Sequence, residues 1–458
     1  MAPVLTRSSA ATLIGLIPHY LAFYLFGWPP LTQTIAEWIM ARTPSKYALW
    51  MLDNLGSWAK PLAMTGGLAA LGFAVLVIAL MQRRWMMAAF AVLPSLFFGG
   101  WTFWLPALLG LIVLETRVEA VRGHAGASRR DFAVMAAGTI GVAIESFARD
   151  AMVSRRAVGT REIATFDPPP DRFAPGLVRP AVTPAGTFYA MSKNTVDPAL
   201  DPKDWRLRIT VDGRTVRSIG YGELLSMPRQ SEYVTLRCIS NTLQSDLMGT
   251  ALWSGVLFDR IVDRRALPDG IVEVAVIGVD GHGDSFEPGY LFNEGAMLAV
   301  GMNGRTLDRT HGFPARLIAP RYYGFKNVKW IGEIAFVRQP YFGTWPKLGY
   351  TKEPVVHTAS HIDKILRDRE LKIGGVSFAG DRGISRVQVR ADDGPWVDAA
   401  LDAQLSKFTW TRWQATLPLT AARQVEARAR DGAGNWQEAR EGTLFPDGVK
   451  GPTIRRIT

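Results

Sequence analysis

Long stretches without a formal charge dominate the first third of the chain, and they constrain its fold more than any motif does. Residues 10–28 form a run of 19 and residues 61–81 a run of 21, each able to cross a ~30 Å hydrocarbon core as a helix. Residues 85–114 are 30 uncharged positions in a row. A single helix of that length would overshoot the core by roughly 15 Å. The run is broken by Pro94, Gly99, Gly100 and Pro106, so it reads as two short spans with a turn near Gly99 and Gly100. Residues 132–144 form a fifth, shorter run of 13, which spans only if Glu145 lies at the interface. An N-terminal α-helical transmembrane bundle of about five helices is expected over residues 1–150.

The positive charges orient it. Arg7, Arg83, Arg84, Arg117, Arg122, Arg129 and Arg130 belong on the cytoplasmic side, which requires the 30-residue run to cross twice. Everything after about residue 150 then lies outside, so a multi-pass protein of a bacterial inner membrane with its soluble part in the periplasm is expected. Ser128, Arg129, Arg130, Asp131 and Phe132 admit two readings, a twin-arginine export signal or an ordinary cytoplasmic anchor pair. Whether the fifth run is retained stays open with them. His19 is alone among the spans, so no haem is expected there.

The net charge is +11, but after residue 150 Lys and Arg are scattered among Asp and Glu with no basic, aromatic-interleaved stripe, which argues against nucleic acid. One cysteine rules out an intrachain disulfide and any Cys-cluster zinc or iron–sulfur site. Residues 151–187, with Asp167 followed by three prolines, read as a linker or wrapping arm. Residues 188–340 alternate strand-like runs (206–211, 233–238, 271–279, 315–318) with loops and a short helix at 222–226, an α+β pattern. Residues 341–371 form a bridge. Residues 372–458 carry short alternating runs such as 384–390 and 424–430 between glycine-rich turns, which suggests an immunoglobulin-like β-sandwich.

The only cysteine, Cys238, sits in Thr-Leu-Arg-Cys-Ile-Ser-Asn at the end of an expected strand. It is a small buried apolar residue, a nucleophile, or a single thiolate ligand to a soft metal. No protease signature surrounds His282, His311, His357 or His361.

The flanking blocks resemble the sulfite oxidase family of molybdopterin-dependent oxidoreductases. Residues 235–241 and Ala251, Trp253, Gly255 and Val256 resemble its Cys-Xaa-Xaa-Asn and Ala-Xaa-Trp-Xaa-Gly-Val stretches. Met302-Asn303-Gly304, then His311-Gly312-Phe313-Pro314-Ala315-Arg316, then Val328-Lys329-Trp330, match its later blocks in order and spacing. The resemblance covers residues 185–458 and not the uncharged runs.

It implies a sulfite-oxidase-like α+β domain, a dimerisation-type β domain and a molybdenum atom with one pterin dithiolene. Cys238 would be the metal ligand. His311 and Arg316 would hold the pterin or its phosphate. Asn327, Val328 and Lys329 would bind the phosphate end, through backbone groups and the Lys329 ammonium. Tyr189, Ser192 and Lys193 fall in the pterin-contacting loop, Asp280 at the family's aspartate, and Tyr350 at its active-site tyrosine. The arginines that hold anionic sulfite in animal and plant members are absent, since Met191 and the pair Thr242-Leu243 stand in their places. Lys193, Arg237 or an arginine of the β domain would have to substitute for them.

The expected function is oxygen-atom transfer at molybdenum on a small sulfur-containing substrate. It would use a separate cytochrome or quinone-linked electron partner, with a homodimer as the expected assembly. The rivals are a sulfoxide or N-oxide reductase fed by a membrane partner, and a cofactor-free binding protein that keeps the fold.

Overall fold

The computed structural model describes residues 160–173, 176–194, 197–242, 245–293, 295–419, 422–440 and 442–457. The five expected spans, the paired arginines 129 and 130, and Leu243 lie outside the described residues. Among the described residues no helix is long and apolar enough to cross a membrane.

In chain order the first half holds β1 (Arg206–Val211), β2 (Arg214–Gly220), α1 (Tyr221–Ser226), β3 (Gln230–Arg237), β4 (Met248–Leu257), α2 (Phe258–Ile261), β5 (Glu273–Gly278), β6 (Gly283–Phe286), α3 (Pro288–Asn293), β7 (Met297–Met302), β8 (Arg305–Thr306), β9 (Arg316–Ile318) and β10 (Ile331–Val337). The α+β expectation is met with a small helical share, since the described α-helices have only four to six residues. Glycine, proline and β-branched residues leave no room for longer helical periodicity.

Two sheets form. One has the order β2-β1-β10-β5-β6, with β1 and β10 parallel. The other has the order β3-β4-β7-β8, with β9 paired to β7. Strand β1 alternates exposed and buried positions, whereas β4 and β7 are buried almost throughout, as strands covered on both faces must be. Leu207, Ile209, Val274 and Ile334 of one sheet share a core with Val234, Trp253, Val256 and Leu298 of the other.

The second half holds β11 (Ala359–Arg367), β12 (Glu370–Phe378), β13 (Ile384–Ala391), β14 (Val397–Asp398), β15 (Ala400–Leu401), β16 (Thr411–Pro418), β17 (Gln424–Asp431) and β18 (Thr453–Arg456). They build sheets β11-β12-β16-β15 and β14-β13-β17-β18 around Leu371, Ile373, Val387, Val389, Trp413 and Val425. A two-sheet sandwich thus follows from the alternating runs.

The proline-rich stretch wraps and packs rather than swinging free. Leu177 and Val178 are buried with Ile239, Met248, Tyr323 and Trp410. Arg179 donates to both oxygens of Asp363 and to Asp246. Thr183 and Thr250 exchange backbone and hydroxyl hydrogen bonds. The Met-Asn-Gly block is a hairpin turn. Asn303 and Gly304 both have positive φ, 49° and 78°, which favours the Asn-Gly pair between β7 and β8. The Asn303 side chain also accepts from Leu252 N–H and donates to Thr183 C=O, tying β4 and the arm together.

Beneath this frame lies a buried ion pair, with the part-exposed Glu353 3.8 Å from its lysine. Lys326 and Asp284 are both fully buried, 3.4 Å apart. Lys326 also donates to the Ser285 carbonyl and faces the rings of Phe286 and Tyr322. Removing one partner strands the other in a low-dielectric site, which costs about 3–5 kcal/mol. Lys326→Met should therefore lower stability by that amount in urea titrations followed by tryptophan fluorescence. The double change Lys326→Met with Asp284→Leu should recover most of the loss. A single-variant loss below about 1 kcal/mol would contradict this account.

Candidate active site

Strand β3 ends at Arg237, and the chain turns at once. Cys238 N–H donates to Leu247 C=O, and Asn241 N–H returns to Cys238 C=O. The thiol is buried. Burial pushes its pKa up, while the Ser240 backbone N–H and hydroxyl, the Arg237 charge and the Ile239 N–H pull it down. A sulfur in a nest of donors is what a thiolate ligand requires.

The turn is locked by Asn241, which is fully buried. Its Oδ1 accepts from Leu247 N–H at 2.8 Å and from the Ser245 hydroxyl at 2.9 Å. Its amide therefore donates to His361 Nε2, 3.3 Å away. That ring must be neutral with the proton on Nδ1. Burial, with Arg237 and Arg179 nearby, holds the His361 pKa well below 6.5.

Tyr189 comes from the arm. Its ring stacks on Phe188 at 5.4 Å, and Phe188 meets Trp253 and His311 edge-on at 5.7 and 5.6 Å. Gly249 makes room, because a Cβ there would stand 2.6 Å from the Phe188 ring. Burial and the nearby Cys238 raise the Tyr189 pKa, whereas Arg316 lowers it, so the phenol lies within electrostatic reach of both.

Gly312 has φ +105°, and a Cβ there would meet Lys329 Cβ at 3.0 Å and Arg316 Cβ at 3.2 Å. Only glycine brings His311, Arg316 and Lys329 so close. The His311 ring donates from Nε2 to the Ala185 carbonyl at 3.0 Å, and burial lowers its pKa. Lys329 donates to Thr310 C=O at 2.9 Å and lies 4.1 Å over the Trp330 ring.

Arg316 is the most telling residue. Its guanidinium is buried over the Trp253 indole at 5.0 Å. It donates to the carbonyls of His311, at 3.2 Å, and Asn327, at 3.0 Å, and Nε has no partner. No described carboxylate pairs with it, and burial pushes its pKa down to about 10. Arg237 is likewise buried, donates only to the His357 and Asn241 carbonyls, and leaves Nε without a partner. Buried cations without carboxylates fit an anionic group, and the thiol nest fits a soft metal, so these residues suit a phosphate-bearing molybdenum pterin.

The remaining expected residues fall as follows. Tyr350 is half-buried, and burial and Cys238 both raise its pKa, which places it near the thiol. Its ring meets Phe445, Trp345 and Phe325 at 5.1, 5.7 and 6.5 Å. Ser192 and Lys193 are half-buried in the loop after Tyr189. Asp280 holds the β5–β6 turn, accepting from His282 N–H at 3.0 Å.

Asn327 and Val328, expected with Lys329 at the phosphate end, have N–H groups that donate to the Gly324 and Lys326 carbonyls, and Val328 C=O accepts from Leu317. The Asn327 side chain bonds Ala319 N–H and Tyr323 C=O. Both residues hold the loop that carries Lys329, and the Asn327 carbonyl accepts from Arg316. Arg237 was expected only as a substitute for the substrate arginines, and Ser240 and His361 carried no sequence signal for a place beside the thiol.

Residues 194–345 match the family model described as the oxidoreductase molybdopterin binding domain. The chain is 23% identical over 338 residues to a sulfite oxidase of Arabidopsis thaliana, covering 59% of this chain and 86% of that protein. It is 26% identical over 311 residues to the mitochondrial sulfite oxidase of Homo sapiens, covering 56% of each. Among solved structures, the sulfane dehydrogenase SoxCD from Paracoccus pantotrophus aligns with a TM-score of 0.51 and 20% identity over 58% of this chain and 79% of that one, a likeness of fold. The chain carries a sulfite-oxidase-like molybdopterin-binding domain and is a molybdenum-dependent oxidoreductase.

A neutral, fully buried His361 makes the site sensitive to acid. Its pKa in the fold is depressed, so below 6.5 the unfolded chain binds a proton that the fold does not. Its contribution to stability is intact above that value and declines below it, by up to ~1.4 kcal/mol per pH unit. Thermal midpoints should fall between pH 6.5 and 5, and His361→Gln, which keeps an acceptor for Asn241, should flatten the decline. Parallel profiles would exclude His361 as a cause.

Proposed function

We propose that this protein is a membrane-anchored, periplasm-facing enzyme that moves one oxygen atom between a small sulfur compound and a molybdenum–pterin centre, and exchanges electrons with a separate partner. The anchor and the orientation rest on the uncharged runs and on the arginines flanking them. A homodimer through the β-sandwich belongs to the same reading. The observation that carries the chemistry is the pairing of a donor-cradled thiol with a buried Arg316 that, among the described residues, has no carboxylate in ion-pair contact, though the Asp308 charge acts on it.

When bound, the cofactor supplies a two-electron oxygen-atom acceptor or donor, which no side chain of this chain provides. The protein supplies positions. Cys238 would ligate the metal, with Ser240 and Ile239 orienting the sulfur. Arg316 and Lys329 would meet the phosphate, and His311 and Tyr189 the pterin. Tyr350 has a raised pKa and so keeps its proton through neutral pH, and its hydroxyl can donate to an oxygen of the substrate near Cys238. A reductase acting on sulfoxides is the second reading. Met191, 38% exposed where a substrate arginine would stand, favours it, because a methionine gives an anion no counter-charge.

Protein purified from a cofactor-competent host should contain molybdenum near one atom per chain. Cys238→Ser should keep the pterin, detected as its fluorescent oxidation product, but lose the thiolate charge-transfer absorbance. Arg316→Met should lose most of both. Tyr350→Phe should retain the metal and lower kcat/KM by roughly tenfold to a hundredfold. Wild-type protein without molybdenum would sink the reading.

A further inference from the structure

We propose that the turn formed by residues 444–451 is a substrate-selecting wall of the Cys238 site, with Phe445 admitting neutral sulfur compounds that carry an apolar substituent in preference to sulfite. This rests on the molybdenum-enzyme reading above.

The turn leaves the sandwich and closes on itself through Gly448 N–H to Leu444 C=O at 2.7 Å. It then lies against the residues around the thiol. Thr351 N–H donates to Pro446 C=O at 3.1 Å. A Cβ on Gly349 would stand 3.0 Å from the Phe445 ring, and one on Gly448 2.6 Å from the Tyr323 hydroxyl. Phe445 meets the Tyr350 ring edge-on at 5.1 Å and yet remains 41% exposed. It is therefore an aromatic surface beside Tyr350, which packs on the cluster that holds Tyr323 and Ile239, the residue after Cys238.

The charges of the turn neutralise one another. Asp447 lies 3.1 Å from Lys450 and 3.4 Å from His357 Nε2. Arg237 is 1% exposed and held by backbone carbonyls. The turn itself offers a dianion passing Phe445 no unpaired cation, because Lys450 is paired with Asp447 and Glu438, whereas an apolar substituent would gain ring contact.

The test uses the full-length holoenzyme. Methyl phenyl sulfoxide reduction takes two electrons from reduced viologen and two protons, and yields the thioether and water. Sulfite oxidation takes its oxygen from water and yields sulfate, two protons and two electrons to ferricyanide. Wild type should show the higher kcat/KM for the sulfoxide. Phe445→Ala should raise the KM for methyl phenyl sulfoxide about tenfold. Its kcat, its KM for dimethyl sulfoxide and its molybdenum content should stay within twofold. Phe445→Leu should restore most of the KM, and Phe445→Arg should lower the KM for sulfite. An unchanged KM in Phe445→Ala, or a molybdenum-replete wild type that prefers sulfite, would overturn this proposal alone. A wild type without molybdenum would instead overturn the reading beneath it. If Phe445→Ala loses its metal, the leucine and arginine variants decide. Equal sulfoxide-to-sulfite ratios in them and in wild type would also overturn it.

Discussion

A buried guanidinium with no carboxylate in ion-pair contact among the described residues organises the catalytic half of this protein. Arg316 has given up water for two backbone carbonyls and the face of Trp253, and its Nε is left with no partner. A charge treated this way costs several kcal/mol unless something anionic completes it. The surroundings are arranged to hold that cost in place. Gly312 takes a positive φ so that the His311 carbonyl can reach the guanidinium, and Asn327 braces its own carbonyl by bonding Ala319 and Tyr323. A ligand that supplies the missing anion binds the fold and not the unfolded chain, so loading and stability are linked.

The thiol presents the opposite demand. Burial opposes its ionisation, and Ser240, Ile239 and Arg237 favour it. Tyr189 is within electrostatic reach of both, and its phenol responds to them in opposite directions. The site therefore has an end built for a soft cation and an end built for an anion, a few side chains apart. Few cofactors carry both characters in one molecule, and a pterin dithiolene with a terminal phosphate bound to a metal is one. That match of charge and softness supports the cofactor independently of the sequence blocks.

Much of this could be read from the sequence, and the failures have physical causes. The strand at residues 206–211 was legible because burial alternates along it. The flanking blocks were legible because backbone geometry dictates them, with Asn303-Gly304 in a positive-φ turn and Gly312 between two cation-bearing segments. Arg316 and His311 were singled out through the family resemblance of their block. The loop at Asn327 and Val328 satisfies its own N–H groups, and no residue pattern announces that choice. His361 was missed because its role is only to accept one hydrogen bond from Asn241, across 120 residues of chain. Long-range neighbours of that kind leave no local signature.

The sandwich, finally, is more than an appendage. Its strands contribute Val376 and Phe378 to the cluster that holds Ile239, the residue after Cys238. Its edge strand supplies His361 to Asn241 and Asp363 to Arg179 of the arm. Its last turn lays Phe445 against Tyr350. Each contact reaches a different residue close to Cys238 in the chain or packed near it, so the thiol's geometry depends on both halves being folded together. A substitution deep in the sandwich can therefore alter chemistry at Cys238 without touching it, because packed interfaces transmit displacement rather than absorb it.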